Sequence, residues 1–559
     1  MPLKKKLISI SLLVICVLGV SASFSSRGNE SEKDYLNKVR KNTILFGEVY
    51  KHIAHKYVEN IDPEKLMRVG INAMLDAVDP YTVLIERDDN VQLQIITQGK
   101  YGGVGMLVGT RQDGFPTVVE PPYEGTPAMK AGIREGDKII EIEGVNVKGM
   151  SSSEVAPKLR GEKGTTVNIK ISREGEPEPL EFRLVRAEIV VNDIEYAGLV
   201  DERVGYIKLT RFTRNAGREI RNAIRDLNQQ GMQGLILDLR NNPGGLLEAA
   251  VAVSDALVSK GELIVSTKGK VEETMQEYFS EQSAVLGALP LVVMINGFSA
   301  SASEIVSGAV QDLDRGVLVG RSSFGKGLVQ SVVGLTRDAN LKLTTAKYYL
   351  PSGRLIQREK YSQDILLEFT DSSLPRVDST FAFSTAAGRG VEGGGGVHPD
   401  VMVEADTLTD YQAALIRQSM MFNYASLYAN THENLSKDFQ ITQEMLNDFK
   451  KFLKDRDFEF NSEVREQLEA LREAAKSNAL GEKLDDSLNA LEAQIAASER
   501  DYFQENIEFI KHELAMEISA KLWGTKSKIE VSFSQDNDLK EALDILKNTE
   551  RYEAILKRK

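Results

Sequence analysis

The sequence predicts a multidomain α/β protein in which a βαβ core carries an inserted, mostly-β domain and is flanked by helical N- and C-terminal regions. Three observations predict this. The 559 residues exceed one ordinary core and suit several domains of about 100–200 residues each. Between residues 188 and about 365, continuous apolar runs alternate with helical stretches, the pattern of a sheet covered on both faces. Between 99 and 187 the pattern is different, with short β-like runs separated by glycine turns. A hydrophobic content of 42% and a charged content of 27% are ordinary for a folded chain and exclude gross disorder.

The first element is a leader. Met1 to Lys6 is basic, Leu7 to Val20 is apolar, and Ser21-Ala22-Ser23 is small, the tripartite pattern of a secretory signal peptide over residues 1–23. The apolar run falls short of the roughly 20 residues that span a bilayer. If it stays uncleaved, it tethers the chain close to a membrane. Cys16, the one cysteine, follows Ile15 rather than a small residue, so it does not read as a lipid-anchoring site. Its removal with the leader would exclude disulfides and cysteine chemistry from the mature chain. Loss of residues 1–23, with Lys4, Lys5 and Lys6 and no acid, takes the formal charge from −13 to about −16. So acidic a surface argues against nucleic acid as a partner.

Residues 32–98 read as an N-terminal helical region, broken at Asp79-Pro80-Tyr81. The 99–187 domain has its strands at Thr117–Val119, Lys138–Ile142 and Val167–Ile171. The core, 188–405, contains the strand Gly234–Leu239 before a helix near 246–257. It continues with the strand Leu291–Asn296 before a helix near 302–313, and then the strand Val317–Val319. A polar insertion occupies about 360–389, and Gly393–Gly396 reads as a flexible joint. The C-terminal region, 406–559, is charged and helical. Its stripe of Leu484, Leu488, Leu491 and Ile495 has helical spacing and reads as packing, as does Trp523.

Chemistry is concentrated in Asn296–Glu304. A strand passes through glycine and small side chains into a helix, which places Ser301 at the carboxyl edge of the sheet, where open α/β proteins build their sites. The N–H of Ala302, in the first helical turn, could hold an oxyanion. Ser301-x-x-Glu304 equally fits a helix capping box, in which the serine only satisfies a backbone donor. A nucleophilic serine needs a base. The five histidines are His52, His55, His398, His432 and His512, so none falls between 56 and 397 and a Ser-His-Asp triad would have to borrow one. A lysine is the economical alternative. Lys326, in Ser323-Phe324-Gly325-Lys326-Gly327, follows Ser301 by 25 residues (326 − 301), room for one helix and one strand. To act it must be neutral, and lowering a lysine pKa from about 10.4 to about 8 costs roughly 3 kcal/mol, which burial can supply. Gly320-x-x-x-x-Gly325-Lys326 also matches most of a nucleotide-binding P-loop. Gly327 replaces the magnesium-binding hydroxyl residue, however, and Val329–Val333 reads as extended rather than helical. Gly244-Gly245 permits close approach of backbone N–H groups to a ligand, or simply turns a strand into a helix.

These stretches resemble the carboxy-terminal processing (tail-specific) serine proteases with a PDZ domain. The resemblance runs through Asp238–Gly245, Ser299–Glu304, Phe324-Gly325-Lys326-Gly327-x-x-Gln330, Thr344–Gly353 and His398-Pro399-Asp400, across most of 60–400. It implies a ClpP/crotonase-like core, with Ser301 as nucleophile, Lys326 as general base and Gln330 orienting the lysine. Gly244 and Gly245 would supply oxyanion donors beside Ala302, and Asp238 and Arg240 read as structural partners. It also implies that 99–187 is a PDZ-like domain. Gly103-Val104-Gly105-Met106 would hold the terminal carboxylate of a peptide that pairs with a neighbouring edge strand. Arg160 reads as a solvated residue, with contact to substrate or to the catalytic domain as the alternatives. The implied protein is an exported endopeptidase of the periplasm or cell envelope, acting on proteins with exposed C-terminal tails and needing no cofactor. Adaptor docking and self-association are the roles left for the C-terminal region. The alternative is an inactive PDZ-type scaffold on the same fold.

Overall fold

The structure is a computed structural model, and it describes residues 30–86, 89–111, 113–336, 339–358, 382–432, 434–460, 463–478, 480–498 and 501–557. The leader, Cys16 and most of the predicted insertion at 360–389 lie outside the described residues. The chain divides into two units, Met1–Leu84 and Ile85–Lys559.

In the first unit, α1 (Glu30–Lys56) and α2 (Pro63–Asp76) are the described helices. Asp62 caps α2 by accepting from the N–H groups of Glu64 at 2.9 Å and Lys65 at 3.2 Å, and Pro63 fits the first helical position because no N–H is needed there. The predicted break is a turn closed by Asp79, whose carboxylate accepts from Tyr81 N–H at 2.7 Å and Thr82 N–H at 2.8 Å.

The second unit opens with the mostly-β domain. Here β1 (Lys100–Gly103) lies apart from an antiparallel sheet of β2 (Val108–Thr110), β3 (Pro116–Val118), β4 (Lys138–Ile142), β5 (Thr166–Ser172) and β6 (Leu180–Val185). Helix α3 (Ser152–Leu159) lies alongside β2. β1 pairs instead with β7 (Ala187–Val190), which leads the chain into the core. Alternating Val167, Ile169 and Ile171 of β5 enter the domain's own apolar cluster, as a half-buried strand requires.

In the core, β8 (Ile194–Val200) runs antiparallel to β9 (Val204–Leu209). Next come the parallel strands β10 (Gly234–Asp238), β12 (Leu291–Ile295), β13 (Val317–Gly320) and β16 (Val401–Met402). The crossover helices are α4 (Ala216–Gln229), α5 (Leu247–Ser254) and α6 (Ala302–Asp312). Strand β11 (Leu263–Gly269) joins a second sheet with the hairpin of β14 (Leu328–Gly334) and β15 (Ala339–Tyr349). Every residue of β10, β12 and β13 is buried, as their apolar runs predicted.

The two faces of that sheet are covered from different parts of the chain. Leu235, Leu237, Val293, Ile295 and Leu318 pack on Ile220, Ile224, Val253, Ile305 and Val306 of the crossover helices. Strands that succeed one another in a single direction with right-handed crossovers put all their helices on one side. The opposite face, with Ile236, Val292, Met294, Val317 and Val319, is covered by C-terminal helices α9 (Thr525–Ser532), α10 (Asn537–Lys547) and α11 (Thr549–Leu556) through Ile529, Leu539, Ala542, Ile545, Tyr552 and Ile555. Helices α7 (Met420–Thr431) and α8 (Ile507–Trp523), which precede them, also hold the mostly-β domain. Lys521 is buried against Glu135 at 2.7 Å with its ammonium 3.3 Å from the Phe422 ring centre, and Arg111 stands over the same ring at 4.1 Å. Burial pulls the Lys521 ammonium down to about 8.

Two expectations change. Leu491 of the predicted stripe is exposed while Leu488 is buried, because helix Gly481–Ser498 buries only the side that meets helix Glu463–Ser477. Gly393–Gly396 is a pinned turn rather than a loose joint. Gly394 and Gly396 donate to the carbonyls of Leu355 at 2.8 Å and Ile356 at 2.9 Å, and a Cβ on Gly396 would stand 2.7 Å from the Ser323 carbonyl oxygen.

Candidate active site

Beyond β12 the chain turns on its own polar groups. Asn296 N–H donates to Ser299 Oγ at 2.9 Å, and Ser299 Oγ–H donates to Leu239 O at 2.8 Å. Ser301 follows with φ 56° and ψ −110°, a left-handed conformation that costs a non-glycine residue of order 1–3 kcal/mol. The surroundings hold it there. All of α6 is buried, and Ser301 is half-exposed between buried Ala300 and Ala302. Ser301 occupies the N-cap and Glu304 the third helical position of a capping box, whose firm arm is Ser301 N–H donating to Glu304 Oε2 at 2.7 Å.

That carboxylate does more than cap. Glu304 is wholly buried, and its Oε1 accepts from Ser323 Oγ–H and Gly325 N–H, both at 2.6 Å, while Oε2 also accepts from Lys326 N–H at 3.0 Å. Burial pushes its pKa up to about 7 against the pull of these four donors. A second clamp comes from β15, where Tyr348 Oη–H lies 2.7 Å from Lys326 O and 3.2 Å from Ser301 O. Phe324 N–H donates to Ser299 O at 3.0 Å. The Ser301 and Lys326 segments are therefore fastened to each other through main-chain groups at three points, on adjacent strands β12 and β13.

Lys326 is half-buried between two buried glycines. A Cβ on Gly325 would reach within 2.6 Å of Arg358 Cγ, and one on Gly327 within 2.9 Å of Gln357 N, so this loop lies flush on residues 355–358. The next element is strand β14, not the helix a phosphate-binding loop needs. Gln330 sits on β14, where its amide donates to Thr344 Oγ1 at 3.4 Å across the hairpin. The histidine a triad could have borrowed, His398, has its Nδ1 2.7 Å from Ser322 Oγ, and burial lowers its pKa.

Gly244 and Gly245 are wedged between Phe212 and the Ser301 loop. A Cβ on Gly244 would stand 2.6 Å from Ala300 O, 2.9 Å from Ala302 N and 3.0 Å from Ser301 Cβ; one on Gly245 would stand 2.3 Å from Phe212 O. The Gly244 N–H donates to Asn242 Oδ1 at 2.9 Å. Asn242, wholly buried, also donates to Leu209 O at 2.7 Å, and its carbonyl accepts from Ala300 N–H at 3.1 Å and Ser303 Oγ–H at 2.8 Å. Gly244→Ala combines this overlap with a φ of 96°, and we expect it to destabilise the chain by about 2–4 kcal/mol in urea unfolding. A loss under about 0.5 kcal/mol would contradict this packing.

In the mostly-β domain, Gly103 at the end of β1 and Val104, Gly105 and Met106 in the loop that follows it are all buried. Val104 O accepts from Ala128 N–H and Gly105 O from Tyr123 N–H, each at 2.9 Å. β2 has a sheet partner on one side only, β3, and α3 lies alongside it. Arg160 is half-buried with its guanidinium 5.5 Å from the Tyr101 ring centre. The sequence reading missed Asn242 and Tyr348, which lay inside quoted motifs, and took Glu304 only as a cap. Their signal is a polar residue inside an apolar or glycine-rich stretch, which marks burial only after the fold is known.

Comparison with known proteins agrees with this architecture. Residues 203–367 match the model of peptidase family S41, residues 118–173 that of the PDZ domain, and residues 411–546 that of the probable PDZ-protease C-terminal helical domain. The chain is 38% identical over 332 residues to the carboxy-terminal-processing protease of Bartonella bacilliformis, covering 59% of this chain and 75% of that protein. It is 37% identical over 304 residues to the carboxyl-terminal-processing protease of a Synechocystis species, covering 54% and 70%. With the carboxy-terminal processing protease CtpB of Bacillus subtilis it shares 32% identity over 346 residues, covering 61% and 70%. On this identity and coverage, the chain belongs to the carboxy-terminal-processing proteases of peptidase family S41 and carries their PDZ domain.

Proposed function

We propose that this protein is an exported serine endopeptidase that cleaves protein substrates near their C-termini by a Ser301–Lys326 dyad. The observation that carries the reading is the double fastening of the two segments by Glu304 and Tyr348. Ser301 Oγ attacks the scissile carbonyl while neutral Lys326 takes its proton, and the lysine then passes that proton to the leaving amine. Water hydrolyses the acyl-enzyme by the same two groups in reverse. The oxyanion is held by the N–H of Ala302, at the start of α6, and that of Gly245, since the Gly244 N–H is spent on Asn242. Gln330, four residues beyond Lys326 on the adjoining strand, orients the amine. The domain at 99–187 presents the Gly103–Met106 loop to the substrate's terminal carboxylate and the edge of β2 to its backbone. Residues 1–23 direct the chain to the periplasm or cell envelope.

The test uses the mature protein and peptides that share one cleavable body and differ only in their last three residues, with products identified by mass. Cleavage should depend strongly on those residues and on a free terminal carboxylate, an amidated tail lowering kcat/KM by at least about tenfold, the loss of one charged hydrogen-bonded anchor. Cleavage indifferent to the tail would defeat the recognition mode, and absence of any cleavage would defeat the enzyme.

A further inference from the structure

We infer that Asp538, from the C-terminal helical region, is a positioning residue for catalysis, because it fixes the separation of the two arginines that open the oxyanion turn and the lysine loop. The inference rests on the reading proposed above.

Arg240 ends the segment after β10 and directly precedes Asn241–Gly245; Arg321 follows β13 and opens the loop that reaches Lys326. Asp538 joins them. Its Oδ2 accepts from Arg240 Nη1 at 2.9 Å and from Arg321 Nη2 at 2.7 Å, and its Oδ1 from Arg321 Nη1 at 3.1 Å. Arg240 has no slack. Its Nε donates to Asp238 Oδ1 at 3.0 Å, Nη1 to Asp536 Oδ1 at 2.9 Å besides Asp538, and Nη2 to Asp238 Oδ2 and Asp536 Oδ2, both at 2.7 Å. All five guanidinium N–H groups thus have acceptors, four of them on Asp238 and Asp536, so Arg240 is a fixed post and Asp538 carries its position across to Arg321.

The loops follow their arginines. Asn241, next to Arg240, donates its N–H to Asn296 Oδ1 at 3.0 Å, and Asn296 Nδ2 donates back to Asn241 Oδ1 at 2.9 Å, which ties the oxyanion turn to the Ser301 loop. Arg321 N–H donates to Ile295 O at 3.0 Å, the residue before Asn296. Without the Asp538 charge Arg321 loses both of its bonds to that carboxylate and faces the anchored Arg240 guanidinium, so the loop it opens would part from the oxyanion turn. Asp238 would remain satisfied by Arg240 and by Tyr206 Oη–H at 2.6 Å, so the strand beneath would stay folded.

Asp538 is a cleaner probe than Asp536, which also caps α10 by accepting from Leu539 N–H at 3.0 Å. In Asp538→Asn an amide N–H replaces an acceptor opposite guanidinium N–H groups at unchanged size. The mature full-length chain is assayed for kcat, KM, tail-peptide affinity, thermal unfolding and the rate at which a serine-reactive phosphonate labels Ser301. We expect kcat and the labelling rate to fall together by about 30- to 100-fold, the effect of a misplacement near 1 Å, with KM and tail affinity within about twofold. Asp538→Glu, which keeps the charge, should recover part of the rate. A purely structural role predicts a lowered melting temperature with kcat intact well below it, and kcat within threefold of the parent overturns the inference. If Asp538→Asn does not fold, Arg321→Gln removes the same bridge from its more exposed side and faces the same criterion. A parent chain that never labels at Ser301 refutes the proposed function itself; a parent that labels normally beside an unaltered Asn variant refutes only this positioning role.

Discussion

On the proposed dyad, Ser301→Ala and Lys326→Ala should each lower turnover by about 10⁴-fold or more, and the double variant should be no slower than either single one, as expected of a nucleophile and base that act as a unit. The structure gives a reason to expect folded variants. The bonds that hold the two segments use Ser301 N–H and carbonyl and Lys326 N–H and carbonyl, which alanine keeps. Unfolding free energies should stay within about 1 kcal/mol of the parent, and tail affinity should be unchanged. His398→Ala supplies the contrast, because its ring is engaged with Ser322 rather than Ser301. It should leave turnover within a few-fold of the parent. Full activity in pure Ser301→Ala protein, or activity that survives Lys326→Ala and is lost in His398→Ala, would reject the dyad.

The sequence revealed what is local. Continuous apolar runs at 234–239, 291–296 and 317–319 are strands because nothing but a two-sided core can bury them, and each is a strand here. The strand-to-helix turn at Ser301 was legible from its glycine and small side chains. What stayed hidden is what depends on distant partners. Period-2 alternation in β12 separates Val293 and Ile295 from Val292 and Met294, yet nothing in those residues says that the second face meets Ile529, Leu539 and Ile545, more than two hundred positions later. The same distance concealed Asp536 and Asp538, two acids among many in a region read only as charged and helical, while their charge completes Arg240. Glu304 is the capping glutamate the sequence suggested, and its wider role stayed hidden for a related reason. A capping box is normally a solvated device, and only the buried helix α6 turns its glutamate into a four-fold acceptor.

That burial leads to the second large effect, Glu304→Gln. An ionised carboxylate can accept all four of its donors, Ser301 N–H, Gly325 N–H, Lys326 N–H and Ser323 Oγ–H. A carboxamide nitrogen accepts nothing and must face at least one backbone N–H, which breaks that contact, whereas a protonated carboxyl keeps its neighbours only by reversing the Ser323 hydroxyl and holds the backbone N–H groups of the Ser301 and Lys326 segments less tightly than the ionised form. With its pKa pushed up to about 7, Glu304 ionises near neutrality, so kcat should climb through that pH as the clamp forms. Glu304→Gln should lose about 10²–10³-fold in kcat and lack the limb near 7. Stability moves the opposite way. The folded chain keeps the Glu304 proton up to about 7, whereas the unfolded chain releases it near the ordinary 4.5, so between those values the folded state holds more protons. Unfolding free energy from this group is therefore highest below 4.5 and falls as pH rises to about 7, by roughly 3 kcal/mol in all. Urea titrations at pH 5 and pH 8 measure the difference, and the Gln variant should lack this component of it. A Gln variant whose rate and stability follow the parent's pH dependence would mean that the Glu304 proton does not govern the spacing of serine and lysine.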